Sequence, residues 1–356
     1  MKPSKDFDPI SDLQVRLRAK WPAIQKAQLK TLQTKNKIVT LLKGLSSTDA
    51  STTVFGSLAR NEWTSKSDVD WTLLVDGQAD PEHHAIAREV ATRLKKAGFA
   101  DPGPTGIFGN MTFSHDLVQK IGGREDTNEN TTRRVLLLQE SVALGKGDAR
   151  QRVLGLILSR YLNEDYGFKF GRLPVKVPRF LLNDIVRYWR TVTVDFVEKQ
   201  RGQEGRGWAL RNAKLRMSRK LIFATGMLCC FSCELLSPPE ARRELIEHQS
   251  TAAMEQHLRG FMEMTALQVL AVFLTELKIN PKTALILFSA YDAFLALLDN
   301  QTKREHLKNL HPDKIGSDPV YAEVRTFSRN FQDALTALFF GDNKQLRELT
   351  IFFGVF

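Results

Sequence analysis

The chain has few cysteines, and their arrangement restricts the class of protein. Its 356 residues include three, Cys229, Cys230 and Cys233. An odd, clustered set is a poor framework for disulfide bonds. Because no second cysteine pair or nearby histidine completes a zinc site, we expect these thiols to be buried in a helix. The cysteine content therefore argues against a disulfide-rich secreted protein and fits a reducing compartment.

Long hydrophobic runs are also missing. The first eight residues contain no apolar signal segment. The most apolar run, residues 221–236, is interrupted by Thr225, Ser232 and Glu234 and is shorter than the ~20 residues that a membrane span needs. We therefore expect a cytoplasmic protein without a membrane partner.

Acidic residues are outnumbered by basic ones. The 51 Lys and Arg against 40 Asp and Glu give a formal net charge of +11. Such a surplus favours polyanionic partners, among them triphosphates, nucleic acid and acidic protein surfaces. The apolar fraction of 42% is typical of a soluble globular protein, and the length is sufficient for two domains.

The pattern of elements changes along the chain and predicts an α+β fold. Residues 1–50 have helical spacing of apolar residues, and residues 146–356 are helical almost throughout. Between them, residues 51–145 alternate short strands with a helix. The predicted strands and helix are Ser51–Phe55, Val69–Val75, Ile107–Phe113 and Pro81–Ala97. We expect a small mixed-sheet module followed by a larger helical domain.

The chemistry is concentrated in one segment of the module. Gly56-Ser57 ends the first strand, and ten residues later Asp68-Val69-Asp70 begins the second. Alternate side chains of a strand share a face, so both carboxylates point the same way while Val69 enters the core. Two adjacent carboxylates repel each other in water, and such a pair is useful when divalent cations lie between them.

The residues around this pair suit a nucleotide. Mg²⁺ takes oxygen ligands, usually one or two carboxylates together with substrate phosphates. Gly56 lets a phosphate approach the backbone, and Ser57 offers an N–H and a hydroxyl to the same anion. Arg60 is three residues further along and is a candidate to cover the triphosphate tail.

The segment resembles the signature of the DNA polymerase β-like nucleotidyltransferases. In that signature an apolar residue, Gly and Gly or Ser precede a spacer of about ten residues and an Asp-apolar-Asp/Glu-apolar run. Phe55-Gly56-Ser57 and Asp68-Val69-Asp70-Trp71 match it. Arg60 and Glu62 further resemble the branch of aminoglycoside nucleotidyltransferases and of the uridylyltransferase that modifies a nitrogen-regulatory protein.

The resemblance implies an activity and a set of ligands. It implies an Mg²⁺- or Mn²⁺-dependent transferase in which Asp68 and Asp70 hold the metal and act in catalysis. Gly56, Ser57 and Arg60 would bind a nucleoside triphosphate such as ATP. A nucleoside monophosphate would pass to an acceptor hydroxyl, with a nucleotide or RNA favoured by the charge and a protein as another acceptor. The alternative is a nucleotide-binding regulatory module without turnover.

The superfamily usually has a third carboxylate, and here its position stays open. Asp116 follows the third predicted strand and is the favoured candidate; Glu125 and Asp126 are alternatives. Asp116 also fits a first-turn acid of a helix that begins at Ser114, and Asp126 fits a helix cap.

A second polar cluster lies in the helical half. Arg211, Lys214 and Ser218 fall on one helical face. Related enzymes commonly use a cation of the helical region to reach the triphosphate, and Arg211 and Lys214 are the candidates here. A solvated basic face is the competing interpretation.

One further string resembles a different family. His311-Pro312-Asp313 with its flanking residues reproduces the loop of J-domain co-chaperones, but the upstream helix lacks their pattern. We interpret it as a helix end followed by a turn.

Overall fold

The fold is described from a computed structural model of the chain. It describes residues 8–45, 47–103, 106–171, 175–202, 206–341 and 343–355. The first seven residues, which contributed to the predicted absence of a signal segment, lie outside the described residues.

A four-stranded mixed sheet forms the centre of the N-terminal module. Its strands are β1 (Ala50–Val54), β2 (Trp71–Val75), β3 (Asn110–Phe113) and β4 (Val142–Ala143). Their order is β3-β2-β1-β4. β1 is antiparallel to both β2 and β4, whereas β2 and β3 are parallel. The predicted strands are therefore present, and the predicted small mixed sheet is confirmed.

Helices flank the sheet and continue to the end of the chain. Those before and within the module are α1 (Pro9–Leu17), α2 (Pro22–Leu41), α3 (Gly56–Ala59), α4 (Pro81–Lys96), α5 (Ser114–Val118) and α6 (Asn128–Gln139). The larger helical region contains α7 (Asp148–Glu164), α8 (Tyr166–Phe170), α9 (Arg179–Gly202), α10 (Trp208–Lys214), α11 (Lys220–Leu235), α12 (Pro239–Glu247), α13 (Ala252–Met262), α14 (Ala266–Glu276), α15 (Pro281–Asp299), α16 (Gln301–Asn309), α17 (Pro319–Phe340) and α18 (Lys344–Leu349). π-helical turns occupy Leu215–Arg219 and Thr350–Val355, and a 3₁₀ turn occupies Pro312–Lys314. This arrangement confirms the α+β fold with a larger helical part.

The sheet is buried on both faces, by different parts of the chain. One face packs against the end of α2 and the apolar side of α4, including Ile38, Ile86 and Val90. Phe55 and Leu74 point to the other face and join the core of the helical region. A sheet covered on both faces reads as continuous apolar strands, as β2 does.

Helix α2 belongs to both cores. Trp21, immediately before it, stacks on Phe288 of α15 with ring centroids 4.5 Å apart. Ile38, near its other end, is fully buried beneath the sheet. The N-terminal helices thus pack on the C-terminal ones, and the predicted boundaries at residues 50 and 145 stay a prediction.

Helix α6 ends at Gln139, and Val142 and Ala143 then pair with β1 as an edge strand. Cys229, Cys230 and Cys233 are buried in α11 without disulfides, and burial raises the pKa of the Cys229 thiol to about 12.

By length and composition alone, α15 would be long and apolar enough to cross a membrane, and half of its most apolar stretch is buried inside the protein. Two bent helix pairs pass the same test only if each pair is counted as one span. The cytoplasmic location therefore stays a prediction.

Candidate active site

The turn after β1 brings Gly56 against Asp70. Gly56 has a φ of 63°, which L side chains rarely adopt. A Cβ built on it would lie 2.7 Å from Oδ2 of Asp70. The N–H of Phe55 donates to the carbonyl of Asp70 at 2.9 Å and fixes the two segments side by side. A glycine is required at this position for both backbone conformation and space.

The two aspartates face the same cleft. Val69 between them is 1% exposed and packs into the core beneath the sheet. Within the described residues, neither carboxylate has a hydrogen bond or an ion pair with another side chain. Burial, with the negative charge of Asp68 as the next cause, raises the pKa of Asp70 to about 7. The pair therefore concentrates negative charge that no cation of the fold neutralises by direct contact.

The cleft lies between the module and the helical region. The module contributes Gly56, Ser57, Arg60, Glu62, Thr64, Ser67, Asp68 and Asp70, and the helical region contributes Lys214, Ser218, Arg219, Phe294, Leu298 and Arg304. Acids on one wall therefore face bases on the other.

A π-helical turn shapes the basic wall. Residues Leu215–Arg219 interrupt the helix formed by α10 and α11. A π turn contains more residues per turn than an α turn, so residues four and five apart lie nearly above one another. Lys214, Ser218 and Arg219 accordingly all line the cleft. Burial lowers the pKa of Lys214, and the charge of Asp68 opposes that shift.

Residues 35–98, which contain the glycine turn and both aspartates, match the family model of the nucleotidyltransferase domain. This region is a nucleotidyltransferase domain. No curated protein matches the chain. Together with the small mixed sheet, the match is consistent with a polymerase β-like nucleotidyltransferase, and the resemblance to a particular branch stays a prediction.

Arg60 of the nucleotidyltransferase domain is part of a buried ion-pair network. Its Nε donates to Glu62 at 2.8 Å, and its Nη1 donates to Glu140. Arg219 donates to the other oxygen of Glu140 at 3.1 Å, and the Tyr291 hydroxyl donates to Glu62 at 2.7 Å. Arg60 lines the cleft, but its guanidinium already has two carboxylate partners. Its geometry favours fixing the wall over covering a triphosphate tail.

Arg304 closes the far side of the cleft. It is 8% exposed, and it donates to the Thr64 hydroxyl at 2.8 Å and to the Lys66 carbonyl at 2.6 Å. These bonds hold the loop between the glycine turn and the aspartate pair. Arg304 is not among the residues predicted for the site, because nothing near it in the sequence connects it to that loop.

Two residues predicted for the site do not reach it. Arg211 is not among the residues that line the cleft. Asp116, the favoured third carboxylate, follows the end of β3, which runs parallel to β2 with Phe113 beside Val75. Asp70 precedes the start of β2, so the two acids lie at opposite ends of a strand roughly 16 Å long. The structure corrects the assignment of Asp116; its side chain forms an ion pair with Lys120 at 2.7 Å.

The alternative carboxylates are also placed elsewhere. Asp126 is buried and accepts two hydrogen bonds from Arg134, at 3.1 and 2.8 Å. The side chain of Glu125 is 78% exposed, near Lys120. Among the described residues, no group of three His, Cys, Asp or Glu side chains that could hold a metal is present. Asp68 and Asp70, immediately before β2, are therefore the acidic centre of the domain.

The string around His311 has the predicted local structure. α16 ends at Asn309, and Pro312–Lys314 form a 3₁₀ turn. A helix end followed by a turn is what the proline predicts.

Proposed function

We propose that the protein transfers a nucleoside monophosphate from a nucleoside triphosphate, ATP among the candidates, to a hydroxyl of an acceptor. The nucleotidyltransferase domain supports nucleotidyl transfer in general. The observation that carries the proposal is the pair Asp68 and Asp70, opposite Lys214 and Arg219 across one cleft and without a side-chain partner in the part of the chain that the structure describes. Such a cleft suits a triphosphate bound together with a divalent cation.

The donor set fits Mg²⁺ or Mn²⁺. Both ions prefer oxygen ligands, and among the described side chains neither carboxylate has a partner that would have to be displaced. Asp68 and Asp70 would hold the ion or ions. When bound, the metal supplies positive charge to the phosphates and stabilises the oxygens of an in-line displacement.

The chain itself provides positioning and charge. The turn at Gly56 brings the Ser57 N–H and hydroxyl to the phosphates, and Gly56 leaves Asp70 room beside them. Lys214, Arg219 and Arg304 surround the position of the triphosphate with positive charge. An acceptor hydroxyl attacks the α-phosphorus, loses its proton to solvent or a base, and pyrophosphate leaves. Most of the rate then comes from orientation and charge neutralisation.

The direct test is transfer of label. The purified protein is incubated with each α-³²P nucleoside triphosphate and Mg²⁺ or Mn²⁺, with and without RNA. The double variant Asp68→Asn/Asp70→Asn is the control. We expect label in RNA, a nucleotide or protein with the native chain only. If the native chain binds the triphosphates but releases no pyrophosphate with any of them, the proposal is wrong.

A regulatory module that binds nucleotide without turnover is the second candidate. It is favoured by one observation: within the described residues no third acid joins Asp68 and Asp70, and the nearby Glu62 and Glu140 are engaged by arginines. A regulatory module would show a nucleotide- and Mg²⁺-dependent rise in melting temperature without a labelled product.

A further inference from the structure

A second groove lies beside the cleft, between α2 and the end of α15. Its cavity volume is about 380 Å³. Lys26 and Lys30 of α2 form one side, and Leu295 and Asp299 of α15 form the other. Nothing in the proposed reaction of the triphosphate requires this groove.

The groove adjoins the cleft. Thr64 lines both of them. On α15, Leu298 lines the cleft while its neighbour Asp299 lines the groove. A molecule in the groove would therefore have one end beside the residues that hold the reactive phosphates. Arg304 fixes the shared boundary through its 2.8 Å bond to Thr64.

Helix α2 gives this groove a positive side. Its twenty residues, Pro22–Leu41, contain four lysines and no Asp or Glu. Lys26, Lys30 and Lys37 are four and eleven residues apart, so they lie within about 40° of one another around the helix. They extend over roughly 16 Å along its axis at about 1.5 Å per residue. A row of this length matches an extended polyanion better than a single nucleotide.

Asp299 holds the first two of these lysines. Its carboxylate oxygens lie 2.9 Å from Nζ of Lys26 and 2.6 Å from Nζ of Lys30. One acid thus positions two ammonium groups at the groove and leaves each with further N–H donors. The Nζ of Lys37 is 5.1 Å from the centroid of the Phe99 ring.

We infer that the groove and the row Lys26, Lys30 and Lys37 bind the backbone of a single-stranded RNA and place its terminal ribose hydroxyl at the cleft. The inference rests on the proposed function and names its acceptor. Contacts from lysines to phosphates are independent of sequence and sensitive to salt. The groove therefore recognises the RNA end by the negative charge and the extended shape of its backbone.

The test is binding of a short fluorescein-labelled single-stranded RNA, measured by anisotropy at several salt concentrations without nucleotide. We expect Lys26→Ala/Lys30→Ala to weaken binding at low salt about tenfold and to reduce the salt slope by about 1.4, or 0.7 per lost phosphate contact. The matched control Lys282→Ala/Lys344→Ala removes the same charge from exposed positions, and Lys282 lies at the opposite end of α15. We expect the control to bind as the native chain does.

A variant that is expected to strengthen RNA binding provides a control for loss of folding, because unfolding would weaken binding. Asp299→Asn releases both lysines from their carboxylate, so RNA binding should tighten several-fold. Equal binding by the native chain and the Lys26/Lys30 variant, or equal losses in that variant and its control, would overturn the inference. So would weaker binding by Asp299→Asn with its circular dichroism spectrum unchanged.

The outcome separates this inference from the proposed function. Asp68→Asn/Asp70→Asn should still bind the RNA, because those residues lie outside the groove. If the native chain binds RNA through Lys26 and Lys30 but transfers no nucleotide, the RNA-binding inference holds and the proposed function is wrong. Transfer to a protein or a free nucleotide, without charge-specific RNA binding, would retain the transferase and reject the groove.

Discussion

Two pairs of aspartates in this protein have opposite surroundings. Asp126 and Asp184 both contact Arg134, which is fully buried, and the Tyr161 hydroxyl adds a hydrogen bond to Asp184. Among the described residues, Asp68 and Asp70 form no ion pair with a cationic side chain, and burial raises the pKa of Asp70. The first pair joins α6 and α9, whereas the second opens on a cleft.

The contrast separates structural carboxylates from those held for a ligand. A buried acid with arginine and hydroxyl partners has its charge compensated within the fold and has a structural role. An acid pair without partners is retained at a cost in stability, which a bound cation can offset. Both pairs are aspartates in the sequence. Their hydrogen-bond and ion-pair partners in the structure distinguish the structural pair from the pair held for a ligand.

Removing the partner of the first pair should have the largest effect. Arg134→Leu leaves Asp184 buried without its cation and leaves Asp126 only the ion pair with Arg187 at 3.2 Å, and we expect a loss of about 3–5 kcal/mol in the free energy of unfolding. Urea denaturation measures it. The adjacent Arg133→Leu removes a partly exposed pair with Glu129 and two hydrogen bonds to backbone carbonyls, and should cost about 1–2 kcal/mol. Similar losses in the two variants would show that the first network is not a structural centre.

Neutralising the second pair should change activity and not stability. Asp68→Asn and Asp70→Asn should each lower the rate of nucleotidyl transfer by about 10²–10³-fold, because the cation site loses a charged ligand. Their melting temperatures without metal should equal or exceed that of the native chain, since repulsion is removed. A lower melting temperature in both would mean that the pair stabilises the fold.

The close approach of Gly56 to Asp70 gives a sharper comparison. Gly56→Ala and Gly98→Ala both place a side chain at positive φ, with a strain of about 1–2 kcal/mol. Only the first also meets a carboxylate, since a Cβ at Gly98 has nothing within 4 Å. We expect Gly56→Ala to lower transfer about tenfold by displacing Asp70, and Gly98→Ala to leave it unchanged. Equal activities of the two variants at equal stability would exclude positional control by Gly56.

The most gradual effect concerns pH. The pKa of Asp70 is raised from 3.8 to about 7, so the folded chain binds more protons than the unfolded chain between these values. Stability of the metal-free protein should therefore fall as pH rises through this window, by at most about 1.4 kcal/mol per pH unit. Asp70→Asn should flatten the dependence, and added Mg²⁺ should oppose the fall by competing with the proton. Thermal denaturation from about pH 5 to pH 8 provides the measurement.

The acidic wall could be predicted because it is local in sequence. Gly56, Ser57, Asp68 and Asp70 lie within one hairpin, and strand alternation is sufficient to place them together. Lys214 was found for a similar reason, through its position on a helical face. The mixed sheet also followed from short apolar strands separated by turns.

The remaining site depends on contacts that sequence does not specify. Arg219 enters the cleft because a π turn changes the helical periodicity on which the choice of Arg211 relied. Arg304 reaches Thr64 across 240 residues of chain. Asp116 was misplaced because the pattern predicts a third strand but not its direction beside β2.

The sharing of α2 between two cores has a consequence for synthesis of the chain. A domain made early on the ribosome usually folds before later residues emerge. Here the indole of Trp21 stacks on Phe288, and Lys26 and Lys30 contact Asp299. Phe288 and Asp299 both belong to α15. The side of α2 that packs on α15 therefore has no partner until α15 has been synthesised, about 270 residues later. A ribosome stalled before α15 would expose the side of α2 that the finished protein conceals.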